Sequence, residues 1–376
     1  MFNRQAFRAP PAVKTLVDKI VPLARRVAEA RQRPVQVMEV CGGHTHAIFH
    51  SGIDQLIGPD VEWVHGPGCP VCVLPAQAVD EAIALAQQPG AILATFGDVL
   101  RVPGRHGTLA QASAQGANVQ VVYSPMDALT LAQQQPDKRV VFFAIGFDTT
   151  MPGIAFTIQA ARQQGLTNIQ FLCYHIRLIP TLIRLLEQDS VCIDGFIGPG
   201  HVSIVLGADA YQPIARRFGR PLVISGFEPV DLLNALLMLL QQLDEGRCEI
   251  ENAYARVVNN AGNLAAKAAM AAVFDSTVCH WRGVGEVPES VNGLTPDYRA
   301  FDARSSLPRL HQGTDQEPAY CAEVLTGNRK PHQCPHFGHA CQPETPMGPL
   351  MVSSEGACAA YHKYNVGKCK EPCHEG

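Results

Sequence analysis

The chain has 376 residues, 47% of them hydrophobic and 17% charged, with a formal net charge of −4. This exceeds one typical domain and reads as a globular protein with well-buried cores. With no dense Lys/Arg block, a nucleic-acid footprint and a polybasic membrane anchor are excluded.

Residues 14–33 carry Val17, Ile20, Val21, Leu23, Ala24 and Val27 at helical spacing, and Pro34 stops the helix. Val35–Val40 reads as a buried strand running into Cys41-Gly42-Gly43-His44-Thr45-His46, with a helix after it through Ile57. Strand 61–65, the loop Gly66-Pro67-Gly68-Cys69-Pro70-Val71-Cys72 and helix 75–88 follow. Strand 91–95, the loop Phe96-Gly97-Asp98, strand 118–123 and helix 126–135 come next. A second series runs through strand 140–145, Gly146-Phe147-Asp148-Thr149-Thr150, helix 152–164, strand 168–173 and helix 179–187. It continues with strand 193–197, Gly198-Pro199-Gly200-His201, a helix near 209–217, strand 221–224 and helix 230–242. A last helix is expected at 262–274.

This alternation predicts an α/β fold with mainly parallel sheets. Cys41 precedes Gly66 by 25 residues, and Cys173 precedes Gly198 by the same 25, which suggests duplication. The expected division is a first α/β domain at 1–124 and a similar one at 125–280, facing each other across a cleft. Residues 281–376, rich in Gly, Pro, His and Cys, form a small loop-rich unit of the kind usually stapled by metal. The N-terminal ten residues lack the apolar core of a secretion signal. The apolar run Leu232–Leu240 is too short for a membrane span of about 20 residues. A cytoplasmic location is expected. There, paired cysteines point to metal binding or redox chemistry, and the chain has 13.

Loops after strand C-termini line the ligand crevice of parallel sheets, and every motif above is such a loop. Cys69 and Cys72 sit before a helix, which lowers a thiol's pKa, and such a pair cycles between dithiol and disulfide. The plainer reading is half of a zinc site, but no second C-x-x-C exists to complete it. Cys41, His44 and His46 offer one thiolate and two imidazoles to a borderline-soft metal, or else pack and cap a helix. Gly146–Thr150 and Gly198–His201 suit either an anion held by backbone N–H groups or ordinary turns. Cys321, Cys334, Cys341 and Cys358 suit an iron–sulfur cluster or an all-thiolate zinc, and spacing does not choose. His332, His336 and His339 are alternative ligands, and Cys369 and Cys373 a competing pair. Cys173, Cys192, Cys248 and Cys279 read as packing or surface thiols.

Met38–His46, Gly66–Cys72 and Met351–Tyr361, in this order, resemble the HypD family of NiFe-hydrogenase maturation factors from about residue 8 to 365. Cys321–Gly327 and Pro331–Gly338 fit the same pattern. The resemblance implies a scaffold that assembles iron with two cyanides and one carbon monoxide. It implies a hetero-complex containing one copy of this chain, a HypC-type chaperone that supplies a cysteine, and a HypE-type cyanide donor. It also implies a 4Fe–4S cluster, which by motif position falls on Cys321, Cys334, Cys341 and Cys358. Iron would be held by Cys41 with the chaperone's thiolate, with His44 orienting the site. Cys69 and Cys72 would either supply two electrons or join Cys41 as iron ligands. Leu350 stands where some members carry a further cysteine, and Asp148 where the family often has Glu. Two other classes of function fit the residues: a non-catalytic iron metallochaperone, and a general thiol-disulfide oxidoreductase.

Overall fold

The computed structural model describes residues 7–188, 190–308 and 319–364. Among them the chain forms β1 (Val35–Glu39), β2 (Val61–His65), β3 (Ala91–Thr95), β4 (Val119–Val121), β5 (Arg139–Gly146) and β6 (Ile169–His175). These are followed by β7 (Gly195–Pro199), β8 (Leu222–Ser225), β9 (Ile250–Asn252), β10 (Phe274–Trp281) and β11 (Gly285–Leu294). One sheet has the order β2-β1-β7-β8-β9 and is parallel throughout. The other has the order β10-β11-β6-β5-β3-β4 and is parallel except for the antiparallel β10–β11 hairpin and its pairing to β6.

The α/β class with two mainly parallel sheets is therefore present, but the sequence division at 124 is not. β4 and β5 belong to one sheet, so that boundary cuts through it. β1 and β2 pair in a sheet with β7, β8 and β9, more than 120 residues downstream. The proposed copies also dissolve. Both Gly-Pro-Gly loops follow strands of the same sheet, whereas Cys173 lies in the other. The boundary at 281 falls inside the β10–β11 hairpin, which extends the second sheet. The hairpin escapes a period-2 reading because two register shifts, at Asp275/Ser276 and Thr277/Cys279, break its alternation.

The strands are short apolar runs because both sheet faces are covered. All five residues of β3 are buried, and Val140–Gly146 of β5 are buried throughout. Helix Pro229–Glu245 lays Leu232, Leu233, Leu236, Leu239 and Leu240 in the first sheet's core, all with no exposed surface. Helix Pro10–Arg31 adds Ile20, Leu23, Ala24 and Val27 to the same cluster. Each such side chain contributes about 1.5–3 kcal/mol of burial. Among the described residues no helix is long and apolar enough to cross a membrane.

Strand order reverses direction between β1 and β7 in the first sheet and between β3 and β5 in the second. A crevice opens at such a point because the flanking connections leave to opposite sides. Cys41 follows β1, and the loop containing Asp98 follows β3.

Candidate functional site

Cys41 is the N-cap residue of helix Gly42–His50, with extended backbone at φ −151° and ψ 119°. Its N–H donates to Glu39 Oε2 at 2.9 Å. Glu39 closes β1 and is 1% exposed, so its carboxylate must find all its partners inside. Oε1 accepts from the Thr45 hydroxyl and from His65 Nδ1, the latter at 2.7 Å. The Glu39 carbonyl accepts from Gly66 N–H at 2.9 Å.

The Cys69–Cys72 loop lies directly on this turn. A Cβ on Gly68 would stand 2.4 Å from Cys41 N and 2.5 Å from the Val40 carbonyl carbon. Only glycine permits that approach. Cys69 caps the four-residue helix Pro70–Val73, and its sulfur accepts the Cys72 N–H at 3.3 Å. Both thiols are buried. Burial, then Cys69, then Glu355 and Cys358, raise the Cys72 thiol well above its ordinary range. Cys72 thus holds its proton more firmly than an ordinary thiol.

Burial, then the carboxylates of Glu39 and Glu355, push the Cys41 thiol up to about 12, although one side of the residue is solvent-accessible. The N–H groups of Gly43 and His44 oppose that shift. Glu355 is itself raised by burial, Asp98 and Glu39. The pocket therefore holds Cys41 and Glu355 toward their protonated forms, and a cation would favour their ionised ones.

His44 is fully buried, and neither ring nitrogen has a hydrogen-bond partner among the described residues. The backbone groups of Gly226 and Ser225 favour its charged form, but burial dominates and lowers it to about 4. It is a neutral imidazole at pH 7. Its ring lies 4.7 Å from that of Phe227, which stacks on His201 at 4.1 Å. Phe227 belongs to the loop after β8, so the two histidines bracket a ring brought from elsewhere in the sheet.

The C-terminal cysteines converge separately. Cys321, Cys334, Cys341 and Cys358 line one small cavity of about 20 Å³ with Val324, Phe337 and other apolar side chains. Cys358 is raised well above the ordinary thiol range by burial and then by Cys321, Cys341 and Cys334. The Cys341 sulfur accepts the Met347 N–H at 3.4 Å. His336 lines the cavity, whereas His332 stacks on Tyr361 and His339 is exposed. Among the described residues no three His, Cys, Asp or Glu side chains are grouped to hold a single ion. Cys369 and Cys373 lie outside the described residues.

The two thiol regions adjoin. Val352 and Cys358 share an apolar cluster with Cys69 and Cys72. A Cβ on Gly42 would stand 2.3 Å from the Cβ of Glu355. Lys330 Nζ donates to the Trp63 carbonyl at 2.6 Å and pairs with Glu62 at 2.9 Å, docking the C-terminal segment on β2. Phe49 packs edge-on against Tyr361 at 5.1 Å, joining the helix after Cys41 to helix Ala357–Tyr364.

Other candidates serve the fold. Asp148 accepts the Leu178 N–H at 2.9 Å and pairs with Arg177 at 3.5 Å, starting helix Leu178–Leu186. Cys173 is fully buried and Cys279 nearly so, while Cys192 and Cys248 are exposed. Sequence reading assigned no role to Glu39, His65, Asp98 or Glu355. A carboxylate closing an otherwise apolar strand was the available signal for Glu39.

The family model described as "Hydrogenase formation hypA family", HypD, matches residues 12–365. The chain is 53% identical to the hydrogenase maturation factor HypD of Escherichia coli, over 95% of this chain and 96% of that protein. It is 47% identical to the HypD factor of Rhodobacter capsulatus, over 97% and 98%, and 48% identical to that of Azotobacter vinelandii, over 91% and 92%. The fold, the paired thiol loops and these likenesses lead to one statement: the chain belongs to the HypD family of hydrogenase maturation factors.

Proposed function

We propose that this chain is the scaffold on which the iron unit of a NiFe hydrogenase, iron with two cyanides and one carbon monoxide, is assembled. The observation that carries this reading is the stacking of the Cys69–Cys72 loop on Cys41, with Cys358 in the same apolar cluster as Cys69 and Cys72. Ferrous iron is the cargo. It enters beside Cys41, where Glu39 and Glu355 already disfavour loss of the thiol proton. Metal binding expels that proton, since the thiolate is the ligand. The neutral His44 orients the site, and a HypC-type chaperone contributes a second thiolate. Soft thiolates suit iron carrying cyanide and carbonyl.

Cyanide arrives on sulfur from a HypE-type donor. Its release breaks the S–C bond and requires two electrons and one proton, leaving a thiol and a cyanide anion that iron takes. Cys69 and Cys72 supply both electrons as their S–S bond forms and give up two protons, so one proton leaves overall.

The four C-terminal thiols fit a 4Fe–4S cluster. They surround one apolar cavity, and a backbone N–H already points at the Cys341 sulfur. Each iron of a cubane takes one thiolate, so such a cluster would use all four cysteines. A cluster held by Cys321, Cys334, Cys341 and Cys358 would supply single electrons to restore the dithiol. The deciding experiment measures iron and acid-labile sulfide per anaerobically purified chain, with EPR. About four of each, beyond any iron lost in Cys41→Ser, is expected for one cubane. Zinc in their place would sink the electron route. Iron retained in full by Cys69→Ser would assign that residue to electron supply and not to iron binding.

A further inference from the structure

The Glu39 side chain links the Cys41 turn to the strand that leads into the Cys69–Cys72 loop. It holds the Cys41 N–H and the Thr45 hydroxyl on one side, and His65 on the other. His65 is the last residue of β2, and Gly66 after it opens the Cys69–Cys72 loop. His65 is 5% exposed, wedged between Phe49 at 5.0 Å and Tyr361 at 5.7 Å, with Nε2 unpartnered among the described residues. It cannot turn away from Glu39 without disturbing both rings. Main-chain contacts run in parallel: Gly66 N–H donates to the Glu39 carbonyl, and Gly42 N–H to the Gly68 carbonyl at 3.4 Å. Gly68 is followed directly by Cys69, and Pro70 stiffens the turn between the two thiols.

We propose that the buried Glu39–His65 pair is a positioning device that makes Cys41 sense whether Cys69 and Cys72 are a dithiol or a disulfide. Closing the disulfide draws the Cys69 sulfur from the Cys72 N–H and shifts the loop at Gly68. With backbone on both sides of that contact, the shift passes to the Cys41 turn. Glu39 converts it into a change at the Cys41 N–H. The consequence is order: the iron site at Cys41 differs before and after the electrons have been delivered.

This rests on the reading that the thiols act together. Iron content of the wild-type chain tests that reading by itself, so the two can fail separately. The test of the coupling is iodoacetamide alkylation of Cys41, followed residue by residue by mass spectrometry on the full anaerobic chain. It compares the dithiol state with the disulfide state set by oxidised dithiothreitol. In the wild type the two rates differ by about 5-fold or more, the lower end of ordinary coupling between sites. In Glu39→Gln the difference falls to within about twofold, with Cys173 still protected as a fold control. If Glu39→Gln exposes Cys173, His65→Leu is read instead, because it cuts the same link and keeps the Cys41 N–H bond. Equal rates in the two wild-type states, or a difference that survives in the variant, overturns the proposal.

Discussion

Gly68→Ala perturbs the contact on which the site is built. Gly68 is not among the glycines with positive φ, so its backbone accepts alanine and only the contact is at stake. The new methyl would stand 2.4 Å from Cys41 N, 2.5 Å from the Val40 carbonyl carbon and 2.6 Å from Cys41 Cα. Carbon contacts are favourable at about 3.5–4.0 Å, so the loops must part by roughly 1 Å. No rotamer change relieves this, because all three atoms are main chain. Overpacking of this kind costs about 1–3 kcal/mol. Loss of the Cys41 N–H bond to the buried Glu39 carboxylate adds about 1.5–3 kcal/mol. The expected total is about 2.5–6 kcal/mol, seen as a lower urea midpoint at unchanged slope. Gly153→Ala is the reference: it lies in helix Met151–Gln163 with empty space around its Cβ position. That change stabilises by about 0.5–1 kcal/mol. Hydrogenase activity in cells depending on the Gly68→Ala chain falls further than stability alone predicts, because the two thiol loops part. A variant with wild-type midpoint and wild-type maturation would refute the contact argument.

Cys334→Ser should reduce iron and acid-labile sulfide together while leaving the Cys69–Cys72 midpoint potential measurable; unchanged sulfide would remove Cys334 from the ligand set. His175 is fully buried, unpartnered and lowered by burial to about 3. Its stabilising preference for the neutral form is complete above pH 6.5 and fades as pH falls from 6.5 toward 3. The loss is about 2 kcal/mol by pH 5, and His175→Gln should lack it. Equal pH dependence of urea stability in wild type and variant would contradict the sign. Phe49→Ala should cost about 3–5 kcal/mol and loosen helix Ala357–Tyr364. Cys358 should then alkylate faster while Cys173 stays protected, and an unchanged Cys358 rate would show that Phe49 does not anchor the helix.

Much of the fold was legible because its strands are short apolar runs between Gly- and Pro-rich loops. Val35–Val40, Val61–His65 and Ala91–Thr95 needed only that signal. Sheet membership was hidden. Strand pairing depends on which apolar faces meet, and β1 finds β7 across about 155 residues without any local mark. The equal 25-residue spacings came from repeated strand–loop–helix lengths, which any doubly wound sheet produces. The hairpin β10–β11 was hidden for a different reason, since its bulges spoil the alternation that announces a strand.

The thiols were legible because chemistry-bearing residue types are rare and their spacing is local. Their supports were not. Glu39 looked like one charge in an apolar run, and its role exists only because β2 sets His65 beside it. Glu355 lies in a quoted motif, yet it matters through Gly42, more than 300 residues away in sequence. Both sheets explain why these groups meet. The reversal between β1 and β7 opens a crevice at Cys41, and the reversal between β3 and β5 opens one at Asp98. Asp98 and Glu39 both raise Glu355, which in turn raises Cys41 and Cys72. One carboxylate carried by the C-terminal segment thus feels both crevices and acts on two of the three site thiols. A chain that must bring iron, cyanide and electrons to one place gains from such crossing. The first sheet cannot form its crevice without strands from both halves of the sequence, so the Cys41 site completes only when β7 has joined β1.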